Sequence, residues 1–147
     1  MALAYNHGCG VTDATEMAQM EGHDMDTGSR MEKKSLDVPD ETRTMDKGRI
    51  ELAKVGDITF GRATLMPGWK WSTDVKPIVK TKSCMAAHAQ FFVSGRLRIV
   101  MDSGDEKEFG PGDVGIIPPG HDAWVVGNEP VVAIDINGLN EYGKKPK

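Results

Sequence analysis

From residue 48 the chain alternates apolar and polar positions in short runs, each cut by a turn rich in glycine or proline. "GRIELAKV" runs to the turn "GD", and "ITFGRATLM" alternates until "PG" stops it. "MAAHAQFFVSG" leads into "RLRIVM", where Leu97 and Ile99 alternate with Arg96 and Arg98, the signature of a strand with one wet face. "DSGD" reads as a hairpin tip, "EKEF" as a short strand, "VGIIP" as a buried strand and "PGHD" as a corner. "AWVV" and "VVAIDI" complete the set around the turn "GNEP". "WKWSTDVKPIVKTKSC" is polar and contains Pro77, so it reads as a loop or edge segment. No convincing helix is predicted. Short strands at regular spacing give an all-β sandwich or small barrel of about eight to ten strands.

The two ends read differently. Residues 1–38 are polar, lack a sustained apolar period and are predicted to form a disordered N-terminal tail. The run from Met31 also reads as a natural beginning, which would make the first thirty residues an over-extended reading of the gene. Residues 39–140 form the single barrel domain, and 141–147 a basic C-terminal tail.

Composition narrows the function classes. At 147 residues there is chain enough for one core. Residues 1–30 hold five acids against Arg30, whereas the remainder carries equal numbers of each sign. With no basic surplus in the barrel, neither nucleic-acid nor membrane-surface binding is expected. No apolar run reaches membrane-spanning length. The start lacks the basic and apolar regions of a secretory signal, so a cytoplasmic location is expected. Cys9 and Cys84 lie in dissimilar surroundings, which argues against a framework disulfide.

The stretch "FVSGRLRIVMDSGDEKEFGPGDVGIIPPGHDAWVVGNEPVVAIDI" resembles the cupin superfamily of small jelly-roll β-barrels, also described as double-stranded β-helices. The matching parts are Val93 to Gly95 (one residue tighter than usual), the amphipathic hairpin after it, "PGD" with Gly112, and "IPPG" with Pro118 and Gly120 five residues on. Gly112 and Gly120 supply the positive φ of tight reversals, Asp113 can bond its own turn, and Pro118-Pro119 forces an extended corner. The resemblance implies a barrel with a small-molecule pocket, and commonly a homodimer formed through edge strands. Together, "PGWKWS" and "PPGHDAWVV" look like a subgroup of small stand-alone cupins.

Cupins usually hold a metal with an H-x-H pair, a glutamate and a last histidine. Here the first two positions fall on Lys82 and Cys84, the glutamate position on His88 and the last on Ala123, with His121 two residues earlier. The altered set therefore departs from the family pattern. On one extended strand, positions 84, 88, 90 and 92 share a face, which places Cys84, His88 and Gln90 inward with Phe92 deeper. His121 would approach from the opposing strand. Cys84, His88 and His121 are thus candidate ligands for a divalent transition metal such as Zn, Fe, Mn, Cu or Ni. Trp69, Trp71, Lys82, Gln90, Phe92 and Trp124 are candidate pocket residues. The indoles suit a planar or sugar-like ligand, and Lys82 suits a carboxylate or phosphate.

Three readings stay open at this point. The first is a barrel that binds a small organic ligand. The second is a metal-dependent oxygenase or isomerase acting on a small organic acid or phenol, or a metal-free site using His88 or His121 as acid or base. The third is a structural or sensor barrel without metal, its hollow filled by side chains.

Overall fold

The structure, a computed structural model, describes residues 30–146. The readings of a disordered tail and of an over-extended start therefore fall mostly on residues outside the described ones. Of that segment, residues 30–38 form no regular element but are tied to the barrel. Glu32 accepts a hydrogen bond from the Gly56 amide, and Arg62 reaches both the Leu36 carbonyl and the Asp37 carboxylate.

Nine strands follow among the described residues: β1 Glu41–Met45, β2 Gly48–Val55, β3 Ile58–Leu65, β4 His88–Ser94, β5 Arg96–Met101, β6 Glu106–Phe109, β7 Val114–Ile117, β8 His121–Val126 and β9 Val131–Ile136. They form two antiparallel sheets, ordered β1-β2-β3-β9-β4-β7 and β6-β5-β8. Their inner faces share one core, with Ile50, Leu65 and Phe92 from the larger sheet meeting Leu97, Ile99 and Val125 from the smaller. This is the all-β barrel that the strand pattern predicts, in the jelly-roll form that the resemblance implies. The wet face of β5 is as expected: Arg96 bonds Glu108 and Arg98 bonds Glu106 across the β5–β6 ladder. Gly112 and Gly120 both hold positive φ, +88° and +94°, and the Asp113 carboxylate accepts from the Gly110 amide to close its turn.

Three expectations need correction. The segment around Pro77 is helical: α1 spans Trp71–Asp74 and α2 spans Lys76–Val79. Pro77 lies in the first turn of α2, where its missing N–H has no intrahelical partner to lose, so it starts this helix instead of breaking a strand. "VGIIP" is not buried throughout. Strand β7 is the edge of its sheet, and Val114 and Ile116 are 75% and 76% exposed, leaving Ile117 as its core residue. The C-terminal segment is not a loose basic tail either. Residues 137–146 fold back over the barrel end, burying Leu139 and packing Tyr142 against the core.

Arg43 secures that closing segment. Its guanidinium donates to the carbonyl oxygens of Leu139 (2.9 Å), Tyr142 (2.6 Å) and Asn140 (2.6 Å), while Glu41 holds its other edge. Carbonyls that lack a strand partner are thereby satisfied by one side chain. Replacing Arg43 with alanine should cost about 1–3 kcal/mol in urea unfolding. It should also speed amide exchange selectively at residues 139–143, as read by hydrogen-exchange mass spectrometry.

Candidate metal centre

The segment after β3 crosses the end of the barrel and brings two indoles inside. The Trp69 carbonyl accepts from the Val125 amide, and the Asp122 carboxylate accepts from the Ser72 amide, so α1 is pinned to β8. Trp69 and Trp71 are each 2% exposed. A buried indole N–H ordinarily finds an acceptor, and leaving one unmade costs about 1–3 kcal/mol. Among the described residues the Trp69 Nε1 has none.

Cys84 does not belong to β4, which begins only at His88. It reaches the site by an isolated bridge to the first residue of β8: its amide donates to the His121 carbonyl (2.8 Å), and its own carbonyl accepts from Gly120 (2.7 Å). The strand β8 has therefore begun at His121, which shares its inward phase with Ala123 and Val125. The ligand atoms of Cys84, His88 and His121 lie within 4.8 Å of one another, and all three residues are buried. Cys84 Sγ is 3.9 Å from His88 Nε2, and the two imidazoles meet edge to face at 5.4 Å between centroids.

Each imidazole is aimed by its other nitrogen. His121 Nδ1 lies 2.7 Å from the Pro118 carbonyl, which can only accept, so that nitrogen carries the proton. His88 Nδ1 lies 2.7 Å from Asp135 Oδ2. Asp135 is fully buried and also accepts from Gln90 Nε2 (2.9 Å) and the Gly138 amide (2.6 Å). With Nδ1 engaged in each ring, Nε2 is the nitrogen left free, and that of His88 faces the Cys84 sulfur. One sulfur and two imidazole nitrogens form a ligand set suited to zinc and its softer neighbours.

Burial sets the electrostatics. It pushes the Cys84 thiol up to about 11 and the Tyr142 phenol well above its usual range, so both are protonated at neutral pH. Burial also lowers the His121 pKa, partly opposed by its bond to Pro118.

Two spaces adjoin the centre. An inner cavity of about 40 Å³ is lined by His88, His121, Gln90, Trp69 and aliphatic residues that include Ala123, the position of the family's last histidine. An outer groove of about 530 Å³ runs between the helices and the closing segment, with Cys84, Val75, Val79 and Met85 in its walls. Trp71 and Tyr142 line both spaces.

Of the sequence-read pocket residues, Trp69, Trp71 and Gln90 therefore meet the cavity. Three others do not. Lys82 is exposed on the surface. Phe92 is sealed in the core, stacked on Phe109 at 5.0 Å. Trp124 occupies the opposite phase of β8, with Lys70 over its ring at 5.3 Å. Sequence reasoning missed Asp135 and Tyr142. The signal for Asp135 was present, a carboxylate on the inward phase of the otherwise apolar "VVAIDI". For Tyr142 there was none, because no strand period extends that far.

No family model and no curated protein matches the sequence. Solved structures do match by shape. A protein of unknown function from Rhizobium leguminosarum bv. viciae 3841 aligns with a TM-score of 0.54 at 18% identity, over 73% of this chain and 95% of that one. A Cupin 2 conserved barrel domain protein from Salinispora arenicola CNS-205 gives 0.52 at 18%, over 74% and 88%. The polyketide cyclase RemF from Streptomyces resistomycificus gives 0.50 at 15%, over 73% and 78%. Likeness at these identities establishes the fold.

The buried imidazole makes a pH-dependent contribution with a definite sign. With the folded His121 pKa below 6.5, the unfolded chain takes up a proton that the folded chain refuses as pH falls below about 6.5. Stability of the metal-free protein should therefore decline from there until the lowered pKa is passed. Urea midpoints between pH 7.5 and 5 should fall less steeply in His121→Gln than in the parent.

Proposed function

We propose that this chain, which carries the cupin fold, binds a divalent transition metal through Cys84 Sγ, His88 Nε2 and His121 Nε2 and presents it to a small organic ligand. The observation that carries the reading is the double fixation of the imidazoles. Asp135 and the Pro118 carbonyl each engage Nδ1, which leaves Nε2 of each ring free in a group whose ligand atoms lie within 4.8 Å of one another. A packing histidine needs one partner and no convergence. A bound divalent ion would supply Lewis acidity toward an oxygen ligand at a remaining coordination position.

The chain's own residues set the conditions for that chemistry. Asp135 orients His88, as an outer carboxylate does for a ligating imidazole. Trp71 and Tyr142, lining both the cavity and the groove, limit the entry of water. Cys84 must surrender its proton on binding, so metal uptake releases protons and weakens toward low pH. Oxygenation or isomerisation of a small organic acid would use the same three ligands.

Without metal, the same residues form a thiol–imidazole–carboxylate relay. The raised thiol pKa disfavours that reading, because a nucleophilic cysteine needs a lowered one. A homodimer through the outer face of the larger sheet fits the exposed Phe91, Val93, Val114, Ile116 and Ile136. Among the described residues no helix is long and apolar enough to cross a membrane. A cytoplasmic setting, where the Cys84 thiol would stay reduced, suits the proposed ligand set.

Elemental analysis of protein grown with Zn, Fe, Mn, Cu or Ni supplied should find one metal per chain in the parent and none in a His88→Ala, His121→Ala double variant. Failure of every metal to bind would refute the reading. At 100 times its Kd the bound metal should add about 2.7 kcal/mol, read as a rise of roughly 10 °C in Tm. Asp135→Asn should lower metal affinity by about 10- to 100-fold in a chelator competition.

A further inference from the structure

We infer that the outer groove, outside the barrel between the two helices and the closing segment, binds an anionic amphiphile. Its apolar chain, about eight to twelve carbons ending in one carboxylate, lies on Val75, Val79 and Met85, with the charge toward lysines on the banks. The assignment is independent of the metal reading.

Space comes first. The hollow inside the barrel measures about 40 Å³, room for about three waters, whereas the groove measures about 530 Å³, within the range of small-molecule pockets. An organic ligand of ordinary size therefore has the groove, and not the hollow, as its place. The wall is largely apolar: Val75 is buried, Val79 half-buried, and Trp71 and Tyr142 stand between groove and hollow. Met85 is 59% exposed, a large apolar side chain that the described residues leave uncovered. A peptide helix about 10 Å across would fill this volume in little more than one turn, so a narrow chain suits it better.

The banks carry one sign of charge. Within the lining, Glu141 and Lys144 offset each other at 3.6 Å. Among the described residues, the exposed charged side chains next in sequence to lining positions are all lysines: Lys70, Lys76, Lys80, Lys82 and Lys145. Lys70 lies over Trp124. The lysine ion pairs among the described residues belong to Lys34, Lys47, Lys107 and Lys144, so the other four have no carboxylate partner there. Four such cations around an apolar wall favour an anion. Lys80 adds a second sign of purpose. It ends α2 at φ +60°, a left-handed position where glycine or asparagine is usual. A charged side chain is thus held at a backbone cost beside Thr81, which lines the groove.

Calorimetry on the full chain, with decanoate below its micellar concentration, should find one site per protomer. The Met85 methyl resonance, assigned by its loss in Met85→Leu, should shift saturably in the same titration. Decanol, the same chain without the charge, should bind at least about fivefold more weakly. Lys82→Gln should weaken decanoate about two- to fivefold. Lys80→Gly should do the same without lowering Tm, because glycine relieves the left-handed backbone. Equal affinity for decanoate and decanol, unchanged affinity in both lysine variants, or a static Met85 methyl under saturating decanoate would each overturn the assignment. Binding that disappears on adding a chelator would put the anion on a metal at the centre and also overturn it. So would a Met85 methyl that shifts with protein concentration and not with decanoate, which would give the groove to a second copy of the chain. Because elemental analysis tests the metal separately, either reading can fail while the other stands.

Discussion

Everything at the closed end of this barrel depends on one buried carboxylate. Asp135 lies on β9, in the middle of a sheet, with no exposed surface, and a lone charge there would be expensive. Three donors from three places offset that cost: the His88 imidazole and Gln90 amide on β4, and the Gly138 backbone just beyond β9. The same bonds fix the ring orientation of His88, hold β4 in register with β9, and turn the chain into its closing segment. Removing the carboxylate would free a donor in each of these places.

The site is asymmetric as a result. His88 is held by a charged group that packs within the larger sheet, whereas His121 is held by a neutral carbonyl on the Pro118 corner. Cys84 is held by backbone pairing to His121 itself, so sulfur and one imidazole move together. The fold thus presents a firmly mounted nitrogen on one sheet and a coupled sulfur–nitrogen pair on the other. The family's last histidine position, Ala123, becomes lining for the hollow.

The barrel was legible because strand alternation and turn chemistry agree along most of the chain. "RLRIVM" and "PGDVGIIPPG" carried it, with Gly112 and Gly120 at positive φ where the turns demand it. The convergence of Cys84, His88 and His121 was legible from strand phase, although Cys84 arrives by a bridge and not along β4. The failures share one cause. Pattern records which residues are apolar, not which strand lies at an edge, so Val114 and Ile116 read as buried. Nor does it record which distant side chain will satisfy a loop, so the fold-back held by Arg43 read as a tail. Lys82 was placed by family position and Trp124 by its place after the corner, and each turned to solvent or to a surface partner.

The order of these parts along the chain bears on how the protein matures. Cys84, His88 and His121 leave the ribosome before the carboxylate at 135 and the closing residues at 139–142. A nascent chain therefore releases all three side chains before Asp135 can orient His88 and before Tyr142 can cover the site. The finished geometry takes effect only when residues 137–146 settle over the barrel, with Leu139 buried and Tyr142 against the core.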